Sequence, residues 1–489
     1  MGISTDEHVG RATPLQPEPG SFRDRDNRVF RVEDQVLRVL GPRAAADWQA
    51  VCDIQLDERL IEEGVLIPTA RLEVDQWPEG LHLPASQPSM VLTHQRVPFL
   101  SWPYEWTFGM LREAAQLQLQ LLESALDSDM ILKDATPYNI QWRGTQPVFI
   151  DVCSLGPYEQ GFPWLAYGQF CQLFLNPLLL QARTGMQFRT QLRGSLEGIP
   201  TTDLRACVGW RHVFRSGVFF DVITQSRLIR RQQRKEALSG ESIVREFKES
   251  GFNISMIRRN VQRLQRIIEK TKWTPPRTVW TTYADTKTYE QQENEQKQQL
   301  IDRVARAEAP RLVWDLGCND GMYSRIAARY AETVVALDQD ESALEALRLG
   351  LRADGISNVL TLVGDLADPS PSQGWRNAER ASLQGRATPD LVLALALVHH
   401  LSITSNVPLQ DVVGWLRSLD SLVVVEFPTR SDQMVQRLLQ NKPDADHADY
   451  SLELFERELG EVFEIEHREE LASGTRVLFV ARPRQAVGC

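Results

Sequence analysis

Residues 312–321 read L-V-W-D-L-G-C-N-D-G, a short apolar run ending in Asp315, then Gly317 and Gly321 on either side of Asn319. Glycine takes backbone geometry that residues with a Cβ reach only at a cost, so such a turn lets main chain approach a ligand closely. Asn tolerates left-handed backbone better than most residues, so Asn319 is compatible with the same turn. Two more acids close apolar runs: Asp338 after T-V-V-A-L, and Asp365 between Gly364 and Leu366 after L-T-L-V. A short carboxylate at a strand tip accepts hydrogen bonds from both hydroxyls of a ribose. An acid at the position of Asp365 can accept from an adenine amino group while apolar neighbours sandwich the ring. A fourth apolar run, 390–397, leads into Val398-His399-His400-Leu401. Neutral imidazole takes a proton from an oxygen or nitrogen, or orients it. His400 is the first choice for that work, and His399 is expected to pack inward. Glu426 closes a fifth run and either faces the same pocket or satisfies backbone donors. Trp280, Tyr283 and Tyr289 precede the first run; they are candidates for an aromatic cover at an acceptor site, with core packing as the alternative.

Residues of this kind need a scaffold that brings their strand tips together. From 311 onward apolar runs at 311–315, 333–338, 358–363, 390–396 and 421–427 alternate with helical stretches. That rhythm predicts an α/β, Rossmann-like parallel sheet covered by helices on both faces. Two last runs, 462–468 and 475–481, complete seven strands and are expected to pair antiparallel at one edge. Open sheets of this type bind ligands outside the carboxyl ends of their strands, where every candidate above falls.

Upstream, 28–40 alternates as a hairpin, 44–64 and 164–183 have helical periodicity, and 109–127 is the clearest amphipathic helix. An extended segment is expected near 68–74, and 207–238 reads as helical. Residues 1–20 are polar and expected to be mobile. The chain divides into an accessory α+β domain over 21–238, a polar helical connector over 239–300 and a catalytic domain over 301–485.

A second constellation lies in the accessory part. Asp134-Ala135-Thr136-Pro137-Tyr138-Asn139 is followed by an apolar run ending at Asp151. This spacing resembles the catalytic and metal-binding segments of protein-kinase-like phosphotransferases, in which Asp134 would contact the acceptor hydroxyl and Asn139 and Asp151 would hold magnesium. The pattern departs from that family: no His two residues before Asp134, no Gly after Asp151, no glycine-rich loop, and Arg38 where a Lys belongs. Arg and Lys are not equivalent at a phosphate. A degenerate kinase-like scaffold that holds an acceptor is therefore expected, with no metal.

The ordered motifs at 315–321, 338, 364–366 and 397–401 resemble class I S-adenosylmethionine-dependent methyltransferases. That resemblance implies S-adenosyl-L-methionine as cofactor, with Asp315, Gly317, Asn319 and Gly321 at its methionine end, Asp338 at the ribose, and Gly364, Asp365 and Leu366 at the adenine. The Asn319 position is usually Gly in that family. Over about 20–485 the chain is similar to a bacterial family of fused methyltransferases, some labelled nodulation-related. The resemblance is carried by Ser21 to Asp24, Trp102 to Trp106, Leu132 to Asn139, Val148 to Asp151, Asp315 to Gly321 and Leu397 to Leu401. The resemblance implies the architecture more than the substrate. The ordered cofactor acids, together with an accessory domain larger than a small soluble acceptor requires, lead to the expectation of methyl transfer to nitrogen or oxygen of a specialised-metabolite, peptide or glycan acceptor. A bifunctional phosphotransferase/methyltransferase and a non-catalytic binding protein are the alternatives.

Composition limits partners. The net charge of −11 disfavours a general nucleic-acid binder. The one basic run, Arg227 to Lys235, is expected to be a solvated helix face. No apolar stretch is long enough for a membrane span, and the amino terminus lacks the pattern of a secretory signal. Six dispersed cysteines without a C-x-x-C pair fit a reducing cytoplasm. Oligomeric state is left open.

Overall fold

The computed structural model describes residues 15–32, 34–215, 253–274, 288–443 and 447–485. The basic run at 227–235, together with Trp280 and Tyr283, lies outside them.

The hairpin comes first: β1 (Asn27–Val32) and β2 (Gln35–Leu40) pair antiparallel from Asn27↔Leu40 to Val32↔Gln35. With β3 (Thr69–Leu72) and β4 (Met90–His94) they form a four-stranded sheet in the order β1-β2-β4-β3. The helical periodicity over 44–64 corresponds to two helices, Pro42–Asp53 and Leu56–Glu62. Gln55 between them is left-handed, with φ 55°, a break that apolar periodicity does not register. The amphipathic helix runs Phe108–Leu126, its amino terminus capped by Thr107 accepting from the Met110 N–H. Three short strands follow, β5 (Met130–Leu132), β6 (Ile140–Arg143) and β7 (Gln146–Phe149), and β8 (Leu155–Pro157) pairs back on β5. Helices Asn176–Thr184, Phe188–Gly194 and Thr201–Arg215 close this part.

Helix Ile254–Lys270 presents Ile257, Val261, Leu264 and Ile268 at three- and four-residue spacing, buries them, and lies against Phe108–Leu126. Helix Thr288–Glu308 crosses position 300 without a break. Its polar first turns are less solvated than their composition implies, because Glu293 and Lys297 are buried.

The carboxy-terminal part is a seven-stranded sheet: β9 (Leu312–Leu316), β10 (Thr333–Asp338), β11 (Val359–Val363), β12 (Leu391–Ala394), β13 (Leu422–Pro428), β14 (Phe463–Glu470) and β15 (Arg476–Pro483). Their order is β11-β10-β9-β12-β13-β15-β14. The first five are parallel; β15 is antiparallel to both β13 and β14. The chain steps outward from β9 to β11, then returns to the other side of β9 with β12, so the order reverses there. β12 stops two residues short of its expected end: Ala396 has φ 47°, and its N–H donates to Glu426.

Strand residues alternate between two cores. Val313, Val334, Ala336, Leu391 and Val424 face one cluster with Leu300, Ile301 and Ala305 of helix Thr288–Glu308. Trp314, Leu337, Leu362, Val392 and Phe427 face a larger cluster that also contains Trp106, Leu119, Trp142 and Phe174 of the amino-terminal part. The two parts therefore share a core, and Phe99 meets Trp314 edge-on at 5.9 Å.

Candidate functional site

At the tip of β9 the backbone turns through Gly317 (φ 77°), Asn319 (φ 49°) and Gly321 (φ 74°) before helix Met322–Ala327 begins. Three left-handed positions in five residues form the tight turn that the Asn at 319 was expected to allow. The turn is tied to β10: Gly317 and Cys318 donate N–H groups to the Leu337 carbonyl at 2.8 and 3.0 Å.

Asp338 ends β10 and accepts from the N–H groups of Asn319 and Asp340, both at 2.8 Å, one on each carboxylate oxygen. Burial raises its pKa against those two bonds, which favour the charged form. A carboxylate has about four lone-pair sites, so capacity for a diol remains. Gly364 donates its N–H to the Asp338 carbonyl, setting the β11 tip beside it. Asp365 is exposed, takes the Ala367 N–H at 2.9 Å, and begins a turn closed by the Asp368 N–H on its carbonyl. Leu366 packs half-buried against the larger core.

Asp315 is placed differently from its neighbours. It is buried and receives the Ser324 hydroxyl at 2.5 Å, so it braces the turn from beneath. Burial pushes its carboxyl up to about 7. Gly317, Asn319, Asp338, Gly364 and Asp365 all retain exposed or half-exposed surface along one edge.

Beyond β12 the chain enters a wide helical turn, His400–Thr404. His399 is buried, its Nδ1 has no hydrogen-bond partner, and its ring lies 4.2 Å from that of His400. Burial first, then the His400 ring, lower its pKa to about 3. His400 is half-buried, and burial followed by the Arg476 charge lowers its pKa too. Both rings are therefore neutral at pH 7.

Glu426 is fully buried. It takes Lys297 Nζ at 2.9 Å, Arg476 Nη1 at 3.0 Å and the Ala396 N–H at 3.1 Å. Burial acts to raise its pKa, but Lys297 and Arg476 outweigh that and bring it down to about 2. The carboxylate thus ties the tips of β12 and β13 to β15 and to helix Thr288–Glu308. Sequence reasoning named neither Lys297 nor Arg476. Arg476 had a signal: an antiparallel pair of β13 with β15 puts the start of one beside the end of the other, with Glu426 opposite Leu478. Lys297 sits in a run of Gln, Glu and Asn and had none. Tyr289 falls in the first turn of its helix.

The second constellation also converges. Asn139 donates to Asp151 at 3.2 Å and to Ser154 at 3.3 Å, and Ser154 donates to Asp151 at 2.6 Å. The other Asp151 oxygen takes Arg38 Nη1 at 2.7 Å, and Arg38 also reaches Asn27 and His94. Asp134 faces this group, its pKa raised by burial and then by the Asp151 charge. Among the described residues no cluster of three or more His, Cys, Asp or Glu has metal-holding geometry.

No protein-family model matches the chain. It is 33% identical over 465 residues to the nodulation protein NoeA of Rhizobium meliloti (strain 1021), a match spanning 94% of each chain. Among solved structures it is similar to the N-methyltransferase NodS of Bradyrhizobium japonicum WM9 in complex with S-adenosyl-L-homocysteine: 12% identity, 42% of this chain and 94% of that one, TM-score 0.31. It is also similar to the magnesium protoporphyrin IX methyltransferase ChlM of Synechocystis PCC 6803 with bound S-adenosyl-L-homocysteine: 17% identity, 42% and 91% coverage, TM-score 0.29.

Proposed function

We propose that this chain, which belongs to the family of the nodulation protein NoeA, is an S-adenosylmethionine-dependent methyltransferase. The observation that carries the reading is the alignment of the β9, β10 and β11 tips. A left-handed turn there is wired by its Asn319 N–H to Asp338, with Gly364 and Asp365 alongside. These residues fit the cofactor: Asp338 has lone pairs for a ribose diol, and the turn residues Gly317 and Asn319 are exposed where the amino-acid end would lie. When bound, S-adenosylmethionine supplies a methyl group already activated on a sulfonium.

The protein's own contribution is alignment and exclusion of water, since positioning alone removes much of such a barrier. His400, neutral and half-buried, accepts a proton from the acceptor's nitrogen or oxygen, or orients that atom. His399 backs it. Glu426, held by two cations, keeps the β12 tip fixed behind both rings. The acceptor class is a specialised-metabolite precursor, a peptide or a glycan, gripped by the amino-terminal part. The setting is the cytoplasm, which suits the free cysteines at 52, 153, 171, 207 and 318. Among the described residues no helix is long and apolar enough to cross a membrane.

The test is calorimetry with S-adenosyl-L-homocysteine on the native protein and on Asp338→Ala. Binding to the native protein and at least tenfold weaker binding to the variant are expected, because a charged hydrogen-bond acceptor contributes about 1.5–3 kcal/mol. Equal affinity would remove Asp338 from the site.

A further inference from the structure

We propose that helix Phe188–Gly194 of the amino-terminal part is a two-arginine clamp that sets the geometry of the cofactor site, with Arg189 and Arg193 as positioning residues. The inference rests on the methyltransferase reading and adds to it a role for the accessory part in holding the cofactor.

Arg189 and Arg193 are four residues apart on a helix and so lie on one face, one turn from each other. Each grips the segment after a different strand of the site. Arg189 Nη1 binds Glu341 at 2.5 Å, and both groups are buried. Glu341 begins helix Glu341–Ala353, three residues after Asp338, and also takes the Gln181 amide at 3.0 and 3.2 Å and the Phe108 N–H at 2.6 Å. Among the described residues these side-chain partners all come from the amino-terminal part. The segment from Asp338 to Glu341 is thus pinned at both ends, by Asn319 at one and by Arg189 at the other.

Arg193 makes a fork on Asp368, Nη1 to Oδ2 at 3.0 Å and Nη2 to Oδ1 at 2.8 Å, and adds bonds to the carbonyls of Asp368 and Pro369 at 3.2 Å each. Asp368 closes the turn that begins at Asp365, through its N–H on the Asp365 carbonyl. A bidentate guanidinium–carboxylate pair fixes direction as well as distance. The Arg193 carbonyl in turn accepts from Gln373 in the same segment. β10 and β11 are neighbours in the sheet, so adjacent arginines on one helix face meet adjacent strand tips. Through them the ribose acid and the adenine acid are held in register.

Site preorganisation lowers the cost of ordering on binding. Loosening either tip weakens cofactor binding, with a coupling in the usual range of roughly 5- to 150-fold. The experiment is calorimetry with S-adenosyl-L-homocysteine on the full chain, comparing native protein, Arg193→Gln, Asp368→Asn and their double variant. Arg189→Gln is measured alongside wherever it folds. Arg352→Gln serves as control: it breaks another ion pair between the two parts, to Glu113 at 2.8 Å, at the far end of helix Glu341–Ala353.

The expected result is a loss of on the order of tenfold for Arg193→Gln and for Asp368→Asn, no further loss in the double variant, and native affinity for Arg352→Gln. Arg193 and Asp368 are partly exposed, so these variants are expected to fold. Native affinity in Arg193→Gln overturns the clamp and leaves the methyltransferase reading standing. Equal loss in Arg352→Gln also overturns it, since the effect would then be general loosening. A native protein that binds no S-adenosyl-L-homocysteine overturns both.

Discussion

Asp315 is the buried acid at the site whose protonation bears on the fold. Asp315 sits under the glycine turn with its pKa raised from 3.8 to about 7, burial being the main cause. A raised folded pKa means the stabilising form is the protonated one: its contribution is complete below about pH 4 and is lost as pH rises through 7. Asp315→Asn keeps an acceptor for the Ser324 hydroxyl and removes the titration. The expected outcome is a flatter stability profile between pH 4 and 8, the difference from native reaching on the order of a few kcal/mol at pH 8. Urea titrations at successive pH values check it, and parallel profiles would show that Asp315 does not titrate in this window. His400 is argued from placement. It is the half-exposed member of the histidine pair, whereas His399 is buried. His400→Ala is expected to lower turnover by roughly 10²-fold or more while cofactor affinity stays native. Turnover followed as S-adenosyl-L-homocysteine released in the presence of a competent extract reads this, and unchanged turnover would make His400 structural.

Among the elements, the turn between β9 and helix Met322–Ala327 leaves no room for a side chain at Gly321. A Cβ on Gly321 would fall 2.4 Å from both Leu347 methyls, at a backbone φ of 74° that side-chain-bearing residues avoid. Leu347 belongs to helix Glu341–Ala353, so relieving the clash displaces the helix that Glu341 anchors. Gly321→Ala is expected to cost about 2–3 kcal/mol in a denaturant titration and to weaken S-adenosyl-L-homocysteine binding; Asn319→Gly, already at φ 49°, is expected to change stability by less than about 1 kcal/mol. A native-like Gly321→Ala would show that the turn tolerates a methyl. This turn was legible in the sequence because its chemistry is local: the glycines, the Asn and the acids at 315 and 338 sit beside the apolar runs that place them. The seven strands were legible for the same reason: the five parallel ones are continuous apolar runs, whereas β14 alternates, F-E-I-E-H-R-E-E. What was not legible depends on distant partners. Glu341 and Arg189 are 152 residues apart, and Lys297 and Glu426 are 129 apart. No local pattern marks a surface-type residue that will be buried against an opposite charge. The break at Gln55 and the early end of β12 were hidden likewise, since both follow from backbone geometry at residues with no special turn preference.

For the whole molecule, the connection between parts decides how it unfolds. Glu105 and Arg386 form a buried two-pronged ion pair at 2.5 and 2.7 Å across the boundary between the amino-terminal part and the segment joining β11 to β12. Glu105 also takes the Trp102 N–H and the Ser370 hydroxyl, and Arg386 donates to the Leu100 carbonyl. Around this pair lies shared apolar core, with Phe99 between the Arg386 guanidinium, 4.8 Å from its centroid, and Trp314 of β9. A continuous core predicts one cooperative transition instead of two. The pair need not be strongly stabilising in itself, because desolvation offsets much of the attraction. Removing one member is another matter: Arg386→Ala strands a buried carboxylate and empties the space against Phe99, an expected loss of about 3–5 kcal/mol. That loss falls on the junction and spares the interior of either part, so it separates their unfolding. Trp106 and Trp142 report on the amino-terminal core and Trp314 on the sheet. In the native protein, fluorescence and far-ultraviolet circular dichroism should trace one coincident urea transition. In Arg386→Ala the two signals should part, and coincident curves there would mean that apolar contact alone couples the halves.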